Sequence, residues 1–172
     1  MKRIVLTGAE STGKSTLATA LSRYYGEPWT TEYVRRYVDE VQRELTIDDL
    51  EPIALGQLNI EDASVDNVKR LVLHDTNIFS SILYAKHYFN TTLDWVNERF
   101  LERDYSLYLL CMPDIPWVAD EGQREGPKVR MQLHELFKEG LDKLQLPYVE
   151  ISGHETERLA MAVSAIDRVL GE

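Results

Sequence analysis

The sequence is poor in cysteine, which excludes an internal disulfide, and it has no long apolar run, which excludes a membrane span. Cys111 is the single cysteine among 172 residues, so no internal disulfide can form, as is typical of proteins from a reducing compartment. We interpret Cys111 as a small buried residue late in a strand. No apolar run approaches the length of a membrane span, and Thr7 and Gly8 end the first run too early for a signal peptide. We therefore expect a cytoplasmic protein without a membrane partner.

Clustered positive charge is also missing. The formal net charge is -10, and lysine and arginine form only local pairs such as Arg35 and Arg36. Nucleic-acid-binding surfaces are normally basic, so we expect no nucleic-acid partner. The length and the apolar content of 44% fit one domain over residues 1–172. The composition carries no signal for an oligomeric state.

One motif stands out against this background. Residues 8–15 read Gly-Ala-Glu-Ser-Thr-Gly-Lys-Ser and match the phosphate-binding pattern G-x-x-x-x-G-K-[ST] at every position. A short apolar run, Arg3–Thr7, precedes the motif, and Leu17, Leu21 and Tyr24 follow it at helical spacing. Strand, glycine-rich loop and helix are thus predicted in the order that a P-loop requires.

The residue types of the motif suit a nucleotide triphosphate. The two glycines allow a tight turn whose backbone N–H groups point inward as a nest for an anion, and the helix aims its positive end at the same point. Lys14 supplies a charge for the outer phosphates, and the Ser15 hydroxyl is a suitable ligand for Mg²⁺. The alternative is a glycine-rich turn that binds nothing. We predict an ATP and Mg²⁺ site formed by Gly8, Glu10, Ser11, Thr12, Gly13, Lys14, Ser15 and Thr16.

Four further apolar runs have the length of buried strands, and helical spacing fills the intervals between them. The strands are predicted at residues 29–33, 70–75, 105–112 and 148–151. Alternating strands and helices indicate an α/β fold. We expect a three-layer P-loop NTPase of the nucleoside or nucleoside-monophosphate kinase kind, with a five-stranded, mainly parallel sheet and helices on both faces.

Two of the predicted helices have apolar stripes that the structure can test. A helix from Tyr33 to about Glu44 is expected to carry three valines on one side, and a later helix is expected to carry four apolar residues at helical spacing. The first stripe comprises Val34, Val38 and Val41, and the second comprises Val129, Leu133, Leu136 and Leu144.

Two carboxylates come at predicted strand ends, where parallel sheets bind their ligands. Asp75 has the position of a Walker B carboxylate, which holds Mg²⁺ beside Ser15, or it caps the next helix instead. Glu32 ends the second predicted strand. In small-molecule kinases of this architecture such a carboxylate can accept the proton of the attacking hydroxyl. Alternatively, Glu32 is a helix-N-terminal glutamate favoured by the helix dipole.

A polar, irregular segment at about residues 113–130 has the character of a lid. Arg124 within it is a candidate for meeting charge on the transferring phosphate, or it is a solvated partner of Glu121 or Glu125. Trp117 offers a stacking surface for a flat ligand, or it anchors the loop on the core. The four histidines show no spacing typical of metal ligands.

Several stretches together resemble the ribosylnicotinamide kinase domain of the NadR-type bifunctional proteins of NAD biosynthesis, nearly end to end. In the family's order they are Gly8–Thr16, Glu32–Arg35, Ile53–Gln57, Asp75–Thr76 and Pro116–Asp120. The first stretch is generic, whereas Pro-Trp-Val-Ala-Asp followed shortly by an arginine is far more specific. The sequence carries no counterpart of the family's adenylyltransferase or DNA-binding regions.

Two local departures accompany the resemblance. Asn77 stands where the family often carries an aspartate, which removes one carboxylate from the strand end. Compared with the family, this sequence has one extra residue between Asp120 and Arg124. Both departures bear on the identity of the substrate more than on the type of reaction.

The resemblance implies a kinase that moves the γ-phosphoryl group of ATP to the 5′-hydroxyl of nicotinamide riboside. Trp117 would stack on the pyridinium ring, Asp120 would bind near the ribose or the ring, and Arg124 would be the lid arginine. The implied catalytic residues are Lys14, Glu32, Asp75 and Arg124, and the implied substrate-binding residues are Glu32, Tyr33, Arg35, Gln57, Trp117 and Asp120. Ser15 and Asp75 would hold Mg²⁺. The motif leaves open whether Glu32 or Asp75 is the general base.

Two other functions are compatible with the sequence. A kinase of another nucleoside or small alcohol would keep Lys14, Ser15 and Asp75 and use Trp117 on a different ring. A regulatory ATPase switch would act on a protein partner and hydrolyse its nucleotide slowly without an acceptor. The sequence lacks the Asn/Thr-Lys-x-Asp motif with which GTPases read guanine, although nucleotide preference is otherwise open.

Overall fold

Five parallel strands form the centre of the molecule. The computed structural model describes residues 1–66, 68–118 and 126–172. In these ranges the sheet has the order β2-β3-β1-β4-β5, and each neighbouring pair is parallel. The strands are β1 Lys2–Thr7, β2 Trp29–Thr30, β3 Leu71–Asp75, β4 Leu107–Cys111 and β5 Tyr148–Ile151. The predicted five-stranded parallel sheet is therefore confirmed.

Helices follow each strand and return the chain to the next one. They are α1 Lys14–Tyr25, α2 Tyr33–Val41, α3 Leu50–Ala63, α4 Ile78–Phe89, α5 Asp94–Leu101, α6 Pro127–Lys143 and α7 Glu155–Leu170. A short 3-10 turn, Ile47–Asp49, precedes α3, and Thr46 and Asp49 form a capping box there. Among the described helices, none is long and apolar enough to cross a membrane.

The helices cover both faces of the sheet. Alternate residues of β1 point to opposite faces, so Ile4 and Leu6 enter one core and Val5 enters the other. Helices α1 and α7 pack on the first core, and α3, α4, α5 and α6 pack on the second. This arrangement confirms the three-layer architecture. It also confirms that Cys111 is buried, and burial raises the pKa of its thiol to about 11.

The second strand is shorter than predicted, and the difference matters for the site. Only Trp29 and Thr30 pair with β3, whereas the sequence pattern indicated residues 29–33. Glu32 is the N-cap of α2, and the backbone N–H of Tyr33 donates to the Gln57 side chain at 3.1 Å. The Gln57 side chain thus supplies a partner for one of the N–H groups that are unpaired at the start of a helix. The helix begins at Tyr33, where the pattern favoured a longer strand.

Two helical stripes also differ from the prediction. On α1 the buried tyrosine is Tyr25, four residues after Leu21, and Tyr24 is 60% exposed. On α6 the buried apolar residues are Leu133, Phe137 and Leu141, so the predicted stripe is right only at Leu133, and Leu144 lies beyond the helix, 44% exposed. In both helices the strict i, i+4 spacing toward the sheet decides which candidate is buried.

Helix α2 contributes no buried residue, although an apolar stripe of three valines was predicted for it. It ends at Val41, three residues before the expected end, and Gln42, with a φ of +53°, is its C-cap. Val34 and Val38 face a cavity beside the sheet instead of the core. Two of the three valines of the predicted stripe therefore line this cavity.

Candidate functional site

The loop between β1 and α1 has the backbone geometry that its glycines require. Gly8 has a φ of +128°, and a Cβ there would lie 2.8 Å from the carbonyl oxygen of Cys111. Gly13 has a φ of +81° and forms the N-cap of α1, and Ser11 also has a positive φ of +55°. Left-handed residues placed between right-handed ones turn successive N–H groups inward.

The lysine of the motif is buried and bonded to its own loop. The Lys14 Nζ donates to the carbonyl oxygens of Gly8 at 3.1 Å and Ala9 at 2.7 Å. The Thr12 hydroxyl also donates to Ala9, at 2.8 Å. Lys14 lines the cavity beside the loop as well, so its charge lies at the junction of the loop and the cavity.

The Ser15 hydroxyl and the Asp75 carboxylate meet at the carboxyl end of the sheet. Ser15 Oγ donates to Asp75 Oδ2. The other oxygen, Asp75 Oδ1, is buried and has no hydrogen-bond partner in the described part of the chain. A hydroxyl and an unsatisfied carboxylate oxygen side by side are the donor set that Mg²⁺ prefers, so these residues fit the ion.

The alternative role for Asp75, as a helix cap, is wrong. Asn77 caps α4, because its Oδ1 accepts the N–H of Phe79 at 3.2 Å, while its Nδ2 donates to the Tyr108 hydroxyl at 3.0 Å. Thr76, between Asp75 and Asn77, is buried and has a φ of +64°. Its backbone N–H donates to the carbonyl oxygen of Leu6. The left-handed backbone at Thr76 separates the strand that ends at Asp75 from the helix that Asn77 caps.

Glu32 lies at the N-terminus of α2 and faces the same cavity as Lys14. Its carboxylate accepts from Arg35 Nε at 3.1 Å, and its side chain is 15% exposed. Burial raises the pKa of the Glu32 carboxyl; the charge of Lys14 acts in the opposite direction, and the charge of Asp75 adds to the increase. The two interpretations of Glu32 are compatible, because a helix-terminal glutamate can also face the site.

Gln57 connects the helix that carries Glu32 to the end of β3. Its Oε1 accepts from the Tyr33 N–H, and its Nε2 lies 3.4 Å from Glu61 Oε1 and 3.5 Å from the Thr76 carbonyl. Gly56 allows α2 and α3 to approach, since a Cβ there would overlap the Tyr33 ring. Gln57 lines the cavity, whereas Tyr33 packs against α3 and is outside the cavity lining.

A cavity of about 460 Å³ lies between the phosphate loop and helices α2, α3 and α4. This volume suits a nucleoside-sized ligand. Its polar end adjoins the loop and includes Glu10, Lys14, Glu32, Gln57, Thr76, Asn77 and Ser80. Its other end is apolar and aromatic, and includes Val34, Val38, Leu45, Leu50, Ile53, Tyr84, Tyr88 and Phe89.

The face of α4 that lines this cavity was not predicted from the sequence. Ser80, Tyr84 and Tyr88 recur at intervals of four, and the rings of the two tyrosines have centroids 5.7 Å apart. Burial and the charges of Glu32 and Glu10 raise the pKa of the Tyr84 hydroxyl well above its ordinary value. The i, i+4, i+8 spacing of polar and aromatic residues was the available signal. The apolar residues that recur at helical spacing in the same segment, Ile78, Ile82, Ala85 and Phe89, were more prominent.

The lid-like segment is represented only in part. Trp117 is half-buried and is outside the cavity lining, and its neighbour Val118 accepts from and donates to the Ser11 hydroxyl. Asp120 and Arg124 lie outside the described residues.

Two further predicted site residues lie within the described ranges. Arg35 lines the cavity beside Glu32, and Thr16 is exposed in the first turn of α1. Within the described ranges no cluster of three or more His, Cys, Asp or Glu side chains could hold a metal ion.

Comparison with known proteins gives matches over nearly the whole chain. A family model described as an AAA domain matches residues 3–158. The trifunctional NAD biosynthesis/regulator protein NadR of Escherichia coli (strain K12) is 27% identical over 180 residues, which cover 100% of this chain and 43% of that protein. NadR of Salmonella typhimurium (strain LT2) matches with the same identity and coverage. The chain therefore spans less than half the length of these relatives.

Solved structures show the same fold. A crystal structure of NadR in complex with NR superposes with a TM-score of 0.84 at 24% identity, over 99% of this chain and 50% of that chain. NadR in complex with NAD and AMP-PNP gives a TM-score of 0.86 with the same identity and coverage. Deoxyadenosine kinase from M. mycoides gives 0.67 at 10% identity, over 96% of this chain and 99% of that chain.

These matches confirm the P-loop kinase fold and the resemblance to NadR that the sequence indicated. The match of the family model extends over both the phosphate loop and Arg158 on α7. The chain thus belongs to the AAA domain family, and within it carries a NadR-like P-loop kinase fold.

Proposed function

We propose that the protein is an ATP- and Mg²⁺-dependent kinase that phosphorylates the 5′-hydroxyl of a nucleoside-like substrate, with nicotinamide riboside as the acceptor. The main support for this proposal is that the phosphate loop directly adjoins the cavity. Lys14, Asp75 and Glu32 lie where the phosphate loop meets the cavity, so a phosphoryl donor and an alcohol acceptor can meet there. A switch that only hydrolyses nucleotide needs a site for the nucleotide but no nucleoside-sized cavity beside it.

The phosphate loop and the first turn of α1 would hold ATP. The N–H groups of the loop and the positive end of α1 receive the phosphates, and Lys14 would exchange its loop carbonyls for phosphate oxygens. Ser15 and Asp75 would hold Mg²⁺, which neutralises charge on the β- and γ-phosphates when it is bound. The complex of NadR with AMP-PNP, whose fold this chain shares, supports this assignment.

The cavity would hold the acceptor with its ribose toward the loop and its ring toward the aromatic end. The formal charge of the cavity lining is negative by one, because three acidic residues, Glu10, Glu32 and Asp39, outnumber Lys14 and Arg35. Tyr84 and Tyr88 supply aromatic faces. A cationic ring is favoured both by carboxylates and by the negative face of an aromatic ring. The nicotinamide of nicotinamide riboside is such a ring. The NR complex of NadR supports the same choice.

Glu32 is our candidate for the general base. A base must be ionised and within reach of the hydroxyl proton, and a raised pKa increases its affinity for that proton. Asp75 is committed to Ser15 and to the predicted ion, which makes it the poorer candidate. The charge of Lys14 would stabilise the transferring phosphoryl group, because phosphoryl transfer depends mainly on positioning and electrostatics.

The remaining assignments follow from the resemblance. We propose residues 1–172 as one domain with a lid at about 113–130, in which Trp117 and Asp120 contact the substrate and Arg124 meets the transferring phosphate. Arg35, Tyr33 and Gln57 would complete the acceptor side. A buried thiol without a partner cysteine supports a cytoplasmic location.

The test is ADP release from Mg²⁺-ATP with and without nicotinamide riboside, beside a Lys14→Ala variant. We expect strong stimulation by the acceptor and loss of that stimulation in the variant. If the acceptor has no effect on a protein that binds ATP, nicotinamide riboside is not the substrate, and a panel of nucleosides and sugar alcohols follows. If no alcohol in the panel stimulates turnover, a regulatory switch replaces the kinase.

A further inference from the structure

Two arginines outside the cavity lining contact the phosphate loop. Arg130 on α6 donates from Nη1 to the Ser11 carbonyl at 3.0 Å, and Arg158 on α7 donates from Nη1 to the Thr12 carbonyl at 2.6 Å. Their exposed fractions are 8% and 4%, and neither lines the cavity. The two guanidinium groups thus bind consecutive carbonyls of the loop.

Each of these carbonyls shares a peptide unit with an N–H group of the loop. The Ser11 carbonyl is joined to the Thr12 N–H, and the Thr12 carbonyl is joined to the Gly13 N–H. In a trans peptide the two groups point in opposite directions, so a donor that fixes the carbonyl outward turns the N–H inward. A cation at the carbonyl also polarises the peptide and strengthens the N–H as a donor to an anion.

The same arginines fix the loop to two other segments. Arg130 Nη2 donates to the Pro113 carbonyl at 3.3 Å, after β4. Arg158 donates to the Met112 carbonyl at 2.8 Å, to the Asp114 carboxylate, and through Nε to the Gly153 carbonyl at 2.8 Å. Most donors of the two side chains are therefore used to connect segments that are distant in sequence.

Arg158 lies within contact distance of Gly13, the N-cap of α1. Gly13 is close enough that a Cβ there would lie 3.6 Å from Arg158 Nη1. Burial lowers the pKa of the Arg130 guanidinium, and its Nε has no partner in the described ranges. Retaining a buried cation with an unused donor costs free energy, which points to a requirement other than packing.

We propose that Arg130 and Arg158 are positioning residues that hold the phosphate loop in its anion-binding conformation. Nucleotide affinity then depends on two side chains outside the cavity, through the directions of the Thr12 and Gly13 N–H groups. The proposal rests on the proposed function only in taking a polyphosphate as the ligand of the loop. It concerns binding, so it is testable without a kinase assay.

The experiment is calorimetric titration of the full chain with magnesium-free inorganic triphosphate and with AMP-PNP. The variants are Arg130→Met and Arg158→Lys, and the matched controls are Lys143→Met on α6 and Arg168→Lys on α7, both at exposed positions. We expect Kd for triphosphate to rise about tenfold in each variant, which corresponds to about 1.4 kcal/mol. The controls, which make the same changes of charge or side chain, should stay within about twofold of the wild type.

A purely structural role has a different outcome. It would lower the melting temperature and weaken the binding of triphosphate and of acceptor together, whereas the proposal requires a triphosphate defect with unchanged acceptor affinity. Arg130→Lys restores the charge and one donor, so it should recover part of the lost affinity. Triphosphate binding by Arg130→Met at the wild-type Kd would overturn the proposal.

The experiment also separates this proposal from the kinase assignment. A wild-type protein that binds triphosphate but phosphorylates no alcohol contradicts the kinase assignment and leaves the arginine effect measurable. A wild-type protein that binds neither probe contradicts both.

Discussion

The hydroxyl of Ser15 donates a hydrogen bond to Oδ2 of Asp75, although 60 positions separate the two residues. Parallel pairing of β1 with β3 produces this contact, because Leu6 lies opposite Asp75 in the register and the loop follows directly after β1. Asp75 Oδ1 is left buried and without a partner in the described part of the chain. The pair therefore combines a satisfied oxygen, which fixes the carboxylate, with an unsatisfied one that a cation can use.

Replacing Asp75 with asparagine should weaken the dependence of activity on Mg²⁺. The amide keeps the volume of the carboxylate but removes its charge, so we expect the Mg²⁺ concentration for half-maximal turnover to rise about 10- to 100-fold. The measurement is ADP release over a Mg²⁺ titration at saturating acceptor. Asp104→Asn is the control, since Asp104 is exposed and lies outside the cavity lining. An unchanged Mg²⁺ curve for Asp75→Asn would remove Asp75 from the metal site.

Replacing Glu32 with glutamine should lower activity and stabilise the fold at neutral pH. Loss of a general base typically lowers kcat by about 10²- to 10⁴-fold. The folded pKa of Glu32 is raised, so above its ordinary pKa the folded state holds the proton more tightly than the unfolded state, and the free energy of unfolding falls as pH rises through that window. An uncharged glutamine removes this cost.

The matched control for this prediction is Glu40→Gln. Glu40 is also on α2 and pairs with Arg36 Nε at 2.9 Å, but its side chain is 54% exposed. It should change neither kcat nor the melting temperature appreciably. If Glu32→Gln keeps the wild-type kcat, another group accepts the proton.

The sequence predicts the parts of the site that a local pattern encodes. The phosphate loop requires glycines at fixed intervals, and Asp75 comes directly after an apolar strand, so both were predicted in their observed places. The positions of Arg130 and Arg158 depend on how α6 and α7 pack behind the loop, which no local pattern specifies. The amide of Gln57 is a similar case, because its contacts join α2 to the end of β3.

Burial was predicted less well than secondary structure. Tyr24 and Tyr25 are adjacent and alike, and only the rotation of α1 on the sheet decides that Tyr25 is buried with its hydroxyl on Asp167. Val34 and Val38 have the spacing of core residues but line a cavity. A periodic pattern identifies the apolar side of a helix without identifying what covers it.

Replacing Tyr88 with leucine should raise KM for the acceptor and leave KM for ATP unchanged. Tyr88 lines the aromatic end of the cavity beside Tyr84, and leucine keeps apolar volume while removing the aromatic face. An interaction between a cation and an aromatic ring contributes about 1 kcal/mol, which corresponds to about a fivefold change in KM. Tyr88 is 37% exposed, so the fold should tolerate the change.

A parallel variant, Trp117→Leu, compares the cavity with the position that the resemblance implies. Tyr24→Leu, at a site 60% exposed and outside the cavity lining, is the control. Should Trp117→Leu alone raise KM for the acceptor, the ring binds under the lid segment and not against α4.

His74 should make the protein sensitive to mild acid. The residue is fully buried in β3, and its Nδ1 lies 2.9 Å from the Thr30 hydroxyl. Burial lowers the pKa of His74 to about 3, and the charges of Arg3 and Arg103 act in the same direction. An unfolded histidine has its ordinary pKa of about 6.5 and takes up a proton that the folded state excludes.

Stability should therefore be complete above about pH 6.5 and fall by at most about 1.4 kcal/mol per pH unit as the pH decreases from there toward 3. His74→Gln keeps a polar contact for Thr30 but does not titrate, so its free energy of unfolding should fall less steeply between pH 7 and pH 5. Urea unfolding at several pH values measures the difference, with His87→Gln, an exposed histidine on α4, as the control. Equal slopes for the wild type and His74→Gln would mean that His74 is protonated in the folded protein or that other groups control the acid limb. His134, whose pKa burial also lowers, would be the next to replace.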